Sequence, residues 1–265
     1  MKNKITIIGA GNIGLSIATG LVRSEKIKPK NILLSRREIK HLATYNEMGY
    51  KITNSNTDAL TFSKTIIISV GPQQLEELAK QIRDKVTDDH LIISVVSGVS
   101  ISKIRSIIGT SGLVVRAMPN TASSICESVT CIASDDDGGI KKAESIFNII
   151  GITLVVTEER IPAATALGAC GIAFFLRAIR AASQGGIEIG FHSDEAFLIA
   201  AQTAKGAAGL VLESSSHPES EIDNVTTPKG ATISGLNEME HQGFSSAMIK
   251  GITTSTNKIN KLLDS

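Results

Sequence analysis

Tryptophan is absent from this chain of 265 residues, and aromatic residues of all kinds make up only 3%. A protein that binds single strands by stacking bases on aromatic rings needs more rings than that, which argues against nucleic acid as the main partner. Net charge is equally scarce, since 27 basic side chains against 26 acidic leave +1. There is no global polybasic field to hold a nucleic-acid backbone or an anionic membrane. The three cysteines, Cys126, Cys131 and Cys170, form neither a CxxC pair nor an even set. Neither a disulfide framework nor a zinc knuckle follows, and a reducing cytoplasm is the expected setting. HExxH, GxSxG, P-loop and EF-hand patterns are missing, and the five histidines keep no metal-ligand spacing, so no metal site is expected. Asp135, Asp136 and Asp137 are expected to form a solvated turn before Gly138. Beyond the glycine-punctuated stretch from Ile5 to Val22, no apolar run approaches the ~20 residues of a membrane span.

What is present is an ordinary globular composition, 42% hydrophobic and 20% charged, in a chain long enough to bury a core. Short apolar runs alternate with helical patterns over residues 1–158. Strands are expected at Ile5 to Ile8, Ile32 to Leu34, Thr65 to Val70, Leu91 to Val96, Leu113 to Ala117, Val129 to Ala133 and Thr153 to Val156. Several are apolar throughout, as strands covered by helices on both faces are, which points to an open, mainly parallel sheet. Helices are expected over Gln73 to Lys85 and Ile140 to Ile150, from apolar residues at three- and four-residue steps. Beyond Thr157 the strand signal nearly disappears, so residues 159–265 read as a second, all-helical domain. Ser193 is its clearest N-cap, with Asp194 and Glu195 in the first turn.

Gly9-Ala10-Gly11-Asn12-Ile13-Gly14 follows the first strand and precedes a helical pattern, the context in which GxGxxG signals a doubly wound Rossmann domain. Gly9 makes the tight turn, Gly11 admits a pyrophosphate and Gly14 lets helix pack on strand. Asn12 and Ile13 open the helix whose N-terminus faces the anion. The second strand ends in Ser35-Arg36-Arg37 rather than in an acid. A hydroxyl and two guanidiniums suit a 2′-phosphate, so NADP is expected, with NADPH preferred over NADH.

Four segments in order resemble the pyrroline-5-carboxylate reductases: the glycine motif; Val70-Gly71-Pro72-Gln73; Arg116-Ala117-Met118-Pro119-Asn120-Thr121; and Val225-Thr226-Thr227-Pro228-Lys229-Gly230-Ala231-Thr232-Ile233-Ser234-Gly235-Leu236. The last is close to the family's V-T-S-P-G-G-T-T-x-x-G-L signature. Asn56 also sits where the family places an asparagine beside the cofactor. The resemblance implies an α/β Rossmann domain followed by a helical domain that interlocks with a second copy, as a homodimer or higher homo-oligomer. It implies reduction of 1-pyrroline-5-carboxylate, a small imino acid, to L-proline, the last step of proline biosynthesis. Cofactor contacts are implied at Asn56, Val70, Gly71, Pro72 and Asn120, and the substrate carboxylate at Gly230, Ala231 and Thr232, with Val225, Thr226 and Lys229 beside them. Thr232 would set its hydroxyl against the ring nitrogen as the catalytic group.

Local physics points the same way: Thr227 and Pro228 read as an N-cap and first helical residue, leaving the amides of Lys229, Gly230 and Ala231 open to a carboxylate. Departures leave alternatives. The family's S-G-S-G-P-A-Y reads here Gly168-Ala169-Cys170-Gly171-Ile172-Ala173-Phe174, Lys229 replaces a usual glycine, and Gly71 a usual lysine. A reductase of another cyclic imine or of a β-hydroxy acid, and a noncatalytic NADP-binding paralogue, both remain open at this stage.

Overall fold

The computed structural model describes residues 4–263. Among these residues eight strands form one sheet: β1 (Ile5–Ile8), β2 (Ile32–Ser35), β3 (Lys51–Thr53), β4 (Thr65–Ile68), β5 (Leu91–Ser94), β6 (Leu113–Met118), β7 (Ser128–Ala133) and β8 (Gly151–Val155). Their order is β3-β2-β1-β4-β5-β6-β7-β8. Neighbours are parallel except β6 and β7, which are antiparallel. Only a short 3-10 turn, Thr121–Ile125, joins that pair, too little chain for the crossover that parallel strands require. Strand order reverses beside β1, and in such sheets ligands bind outside the carboxyl ends of the strands at the reversal.

The helices are α1 (Asn12–Arg23), α2 (Ala43–Glu47), α3 (Asn56–Phe62), α4 (Leu75–Ile82), α5 (Ile101–Ile108), α6 (Asp137–Phe147), α7 (Ile161–Ala164), α8 (Gly171–Glu188), α9 (Ser193–Ser214), α10 (Pro218–Val225), α11 (Ala231–His241) and α12 (Phe244–Leu263). Ile7, Ile17, Leu21, Leu34 and Phe147 fill one face of the sheet, and Ile8, Ile66, Leu78, Ile82 and Ile104 the other. Each such side chain contributes about 1.5–3 kcal/mol on full burial.

The seven expected strands are present, the first with the expected ends and the others with an end displaced by one or two residues. β3 has no counterpart in the pattern reading, because its three residues are edge-placed and only partly buried. α4 follows a separate 3-10 turn, Pro72–Gln74. α6 begins earlier than expected because Asp136 accepts the Gly139 amide at 2.9 Å as its N-cap. The aspartate triplet is therefore not merely solvated: Asp135 pairs with Arg105, Asp136 caps and Asp137 sits in the first turn. Similarly, α9 is capped by His192 rather than Ser193, and Glu195 reaches back to the His192 amide at 3.0 Å.

Strand structure ends at Val155, whereas the compact units divide later. One unit takes the described residues up to Ile172 together with those from Thr254 onward, and the other spans Ala173–Thr253. Ile161 explains the displacement, for it packs with Met118 and Ala133 of the sheet. Glu158–Glu188 is a continuous helical run of 31 residues, interrupted by a π turn at Thr165–Cys170. An 18-residue window within it has mean hydropathy 1.5, so by length and composition alone the run passes for a membrane-crossing helix, although charged residues such as Arg177 and Arg180 interrupt its sequence. Within Ala173–Thr253 many large apolar side chains face outward, among them Phe175, Phe197, Leu198 and Leu212.

Candidate dinucleotide cleft and substrate loop

Gly9 adopts φ +89°, and its amide and that of Ala10 both donate to the Ser35 carbonyl, at 3.0 and 2.9 Å. This ties the turn after β1 to the end of β2. A Cβ on Gly9 would lie 2.6 Å from Val70 Cγ1, and one on Gly14 would lie 2.6 Å from Ser69 Oγ. At Gly11, by contrast, nothing comes nearer than 3.8 Å, so the backbone there is open to a ligand. Gly11 is also the N-cap of α1, with no side chain closing the amides of Asn12, Ile13 and Gly14. An open glycine before a helix N-terminus is what a pyrophosphate requires.

A cleft of about 550 Å³ lies over this turn. Of the residues expected at a cofactor, Gly9, Gly11, Ser35, Arg36, Arg37, Asn56, Val70 and Gly71 line it. Pro72 begins the adjoining 3-10 turn. Asn120 does not line the cleft: its Oδ1 accepts from the Ala122 amide at 2.9 Å and its Nδ2 donates to the Gly168 carbonyl at 3.2 Å. Ser35 is only 1% exposed and donates its hydroxyl hydrogen to Asn56 Oδ1 at 2.6 Å, so it orients the asparagine. Asn56 in turn donates to Gln81 Oε1 at 2.9 Å, and Gln81 to Glu77 Oε1 at 3.3 Å. Gln74, Glu77 and Gln81 form a polar wall that sequence reasoning missed. Their three- and four-residue spacing, on the opposite face from most of α4's buried residues, was the available signal.

Arg36 donates through Nη1 to the Ala10 carbonyl at 3.2 Å, bringing its charge over the glycine turn. Glu38 also lines the cleft, yet it pairs with Lys40 at 3.1 Å and His41 at 3.2 Å. The hydrogen bond from Lys40, then that from His41, holds its carboxyl below the usual carboxylate range. Elsewhere in this unit Arg116 is buried, donating to Glu158 Oε1 at 3.2 Å, and the same oxygen accepts the Ile101 amide at 2.7 Å. Burial lowers the Arg116 pKa despite that partner.

The loop before α11 corrects the expected cap. The Gly230 amide donates to the Thr227 carbonyl at 2.9 Å, closing a β-turn in which Lys229 has φ +61°. Gly230, not Thr227, is the N-cap, and α11 starts at Ala231. The amides open at the helix start are thus those of Ala231, Thr232 and Ile233, a set shifted by two residues from the expected one and sharing only Ala231 with it. Lys229 occupies a position that favours glycine, and a Cβ on Gly230 would lie 2.5 Å from Thr227 Oγ1. Thr232 is exposed, and no hydrogen bond engages its hydroxyl among the described residues. Val225 ends α10 with its side chain exposed, while Thr226 Oγ1 donates back to the Ile222 carbonyl at 2.7 Å.

Two family profiles match: pyrroline-5-carboxylate reductase dimerisation over residues 158–262, and NADP oxidoreductase, coenzyme F420-dependent, over residues 4–98. The chain is 52% identical to pyrroline-5-carboxylate reductase 1 of Dictyostelium discoideum over 97% of its own length, and spans about half (49%) of that longer relative. It is 48% identical to pyrroline-5-carboxylate reductase 2 of the same organism, covering 98% of this chain and 94% of the relative. Its fold matches a pyrroline-5-carboxylate reductase from Coxiella burnetii with TM-score 0.86 at 27% identity, over 99% of both chains. A pyrroline carboxylate reductase from Plasmodium falciparum with NADP bound matches with TM-score 0.90 at 24% identity, over 99% of this chain and 98% of that one. With the glycine turn, the cleft and the loop before α11 in the same chain, these matches make it a member of the pyrroline-5-carboxylate reductase family.

Proposed function

We propose that this chain reduces 1-pyrroline-5-carboxylate to L-proline, taking its electrons from NADPH in preference to NADH. The observation that carries the reading is the near full-length match, at 48% identity, to a reductase of that name. The open backbone at Gly11 and the uncapped amides of α1 fit a pyrophosphate, and Arg36 and Arg37 fit a 2′-phosphate. When bound, the reduced nicotinamide supplies the hydride.

The chain's own residues do the rest. Gly9, Gly11, Asn12, Ile13 and Gly14 hold the pyrophosphate, and Asn56, Val70, Gly71 and Pro72 line the nucleoside. The open amides of Ala231, Thr232 and Ile233 take the substrate carboxylate at the start of α11, where the helix dipole favours an anion; Gly230 caps that start and Lys229 adds a positive charge. The Thr232 hydroxyl faces the imine nitrogen. A protonated imine is already electrophilic, so no strong protein acid is needed.

Residues 1–158 serve as the dinucleotide domain and 159–265 as the substrate and dimerisation domain. Exposed apolar residues such as Phe197 and Leu198 support assembly as a homodimer or higher homo-oligomer. Three free cysteines suit a reducing cytoplasm.

The test is oxidation of NADPH and NADH, followed by absorbance, with 1-pyrroline-5-carboxylate and, separately, 1-pyrroline-2-carboxylate. Turnover of the first alone, faster with NADPH, is expected. Silence on both substrates with NADPH bound would overturn the catalytic reading.

A further inference from the structure

Glu38 is an acid in the wrong place for a phosphorylated nucleotide. It lines the same cleft as Arg36 and Arg37, and a carboxylate near the ribose 2′ position accepts hydrogen bonds from free hydroxyls while repelling a 2′-phosphate. A carboxylate so near two guanidiniums would ordinarily pair with them. Instead Glu38 Oε2 accepts from Lys40 Nζ at 3.1 Å and from His41 Nε2 at 3.2 Å. Arg36 is directed to the Ala10 carbonyl, and Arg37 carries no ion pair among the described residues. The 3-10 turn Ile39–Leu42 supplies both partners; Leu42 anchors it in the core, and the His41 amide donates to the Glu38 carbonyl at 3.2 Å. The charged groups around Glu38 are Arg36, Lys40 and His41, with Arg37 sharing the cleft lining.

We propose that Lys40 and His41 latch Glu38 away from the ribose 2′ position, leaving both arginines for a 2′-phosphate, so that the latch sets the nucleotide preference of the cleft. This rests on assigning the cleft to a nicotinamide dinucleotide. Released, Glu38 becomes an acceptor for the ribose hydroxyls of NADH and a repulsive neighbour for NADPH.

The test is a double-mutant cycle read as the ratio of NADPH to NADH affinity, by titration calorimetry at pH 8 and low ionic strength. Four proteins are compared: the unsubstituted chain, Glu38→Gln, Lys40→Ala with His41→Ala, and the triple variant. Lys40→Ala with His41→Ala should lower the ratio about three- to fivefold, the scale of exposed ion pairs. Adding Glu38→Gln to that pair should recover about threefold or more, whereas Glu38→Gln alone should move the ratio less than about twofold. Equal effects of Glu38→Gln in both backgrounds would mean simple additive charge and would overturn the latch while leaving the cleft assignment intact. Failure of the unsubstituted chain to bind either nucleotide would overturn the cleft assignment, and the latch with it.

Discussion

The Asn120 side-chain amide donates to the Gly168 carbonyl, 3.2 Å away across 48 residues of sequence, and so ties the turn after β6 to the π turn that leads into α8. Asn120 lies in one of the segments that carry the family resemblance, whereas Gly168 opens a stretch that departs from it. π turns recur at functional sites, and this one coincides with the stretch where the chain departs from the family's serine-rich pattern.

Asn120→Ala removes that bond and the cap on Ala122, and should destabilise the fold by about 1–3 kcal/mol. Urea unfolding of the variant gives the number. An unchanged midpoint together with weaker NADPH binding would return Asn120 to the nucleotide site.

Arg116 and Glu158 should respond asymmetrically. Glu158→Ala strands a buried guanidinium and the Ile101 amide together. A loss of about 2–4 kcal/mol is expected, below the figure for fully buried pairs because Glu158 is partly exposed. Arg116→Met removes the buried charge itself and should cost less. The same unfolding assay decides, and equal losses would reject the argument.

Asp135 links stability to pH. Its carboxyl is held below the ordinary range, first by the hydrogen bond from Arg105. A depressed carboxylate stabilises the fold fully above its unfolded pKa, and that contribution disappears as pH falls through the folded value. Stability should thus hold from neutrality to about pH 5 and decline below about pH 4, and Asp135→Asn should flatten the acid limb. Identical acid limbs in the two proteins would exclude Asp135 as a contributor.

Lys229→Gly separates strain from binding. Glycine adopts φ near +60° without penalty, so the variant should be more stable by about 0.5–1 kcal/mol. Loss of the ammonium should raise the substrate KM. A raised midpoint with an unchanged KM would make Lys229 a bystander.

Thr232→Ala should reduce kcat strongly while NADPH affinity stays level, whereas Arg36→Ala with Arg37→Ala should weaken NADPH much more than NADH. Initial-rate kinetics and nucleotide titration test the two. Unchanged turnover would remove Thr232 from the mechanism, and equal weakening would make the arginines generic contacts.

Local pattern was enough for the sheet and the glycine turn. Runs such as Ile5–Ile8 must be buried on both faces, and the GxGxxG spacing after a strand marks the turn, although the close neighbours that demand glycine at positions 9 and 14 are Ser69 and Val70 beyond β4. Only the folded chain decided that Ser35 serves Asn56, that Glu77 and Gln81 complete that network, that Asn120 serves Gly168, and that Glu38 chooses Lys40 and His41 over its adjacent arginines. It also decided that Gly230 caps α11, which starts at Ala231, because the Pro228-Lys229 turn spends the Gly230 amide on Thr227 before the helix can use it. Burial and backbone strain follow from neighbouring residues and leave a trace in composition and period. The choice of a hydrogen-bond partner depends on which donors and acceptors the tertiary fold brings within about 3 Å, and no one-dimensional pattern carries that distance.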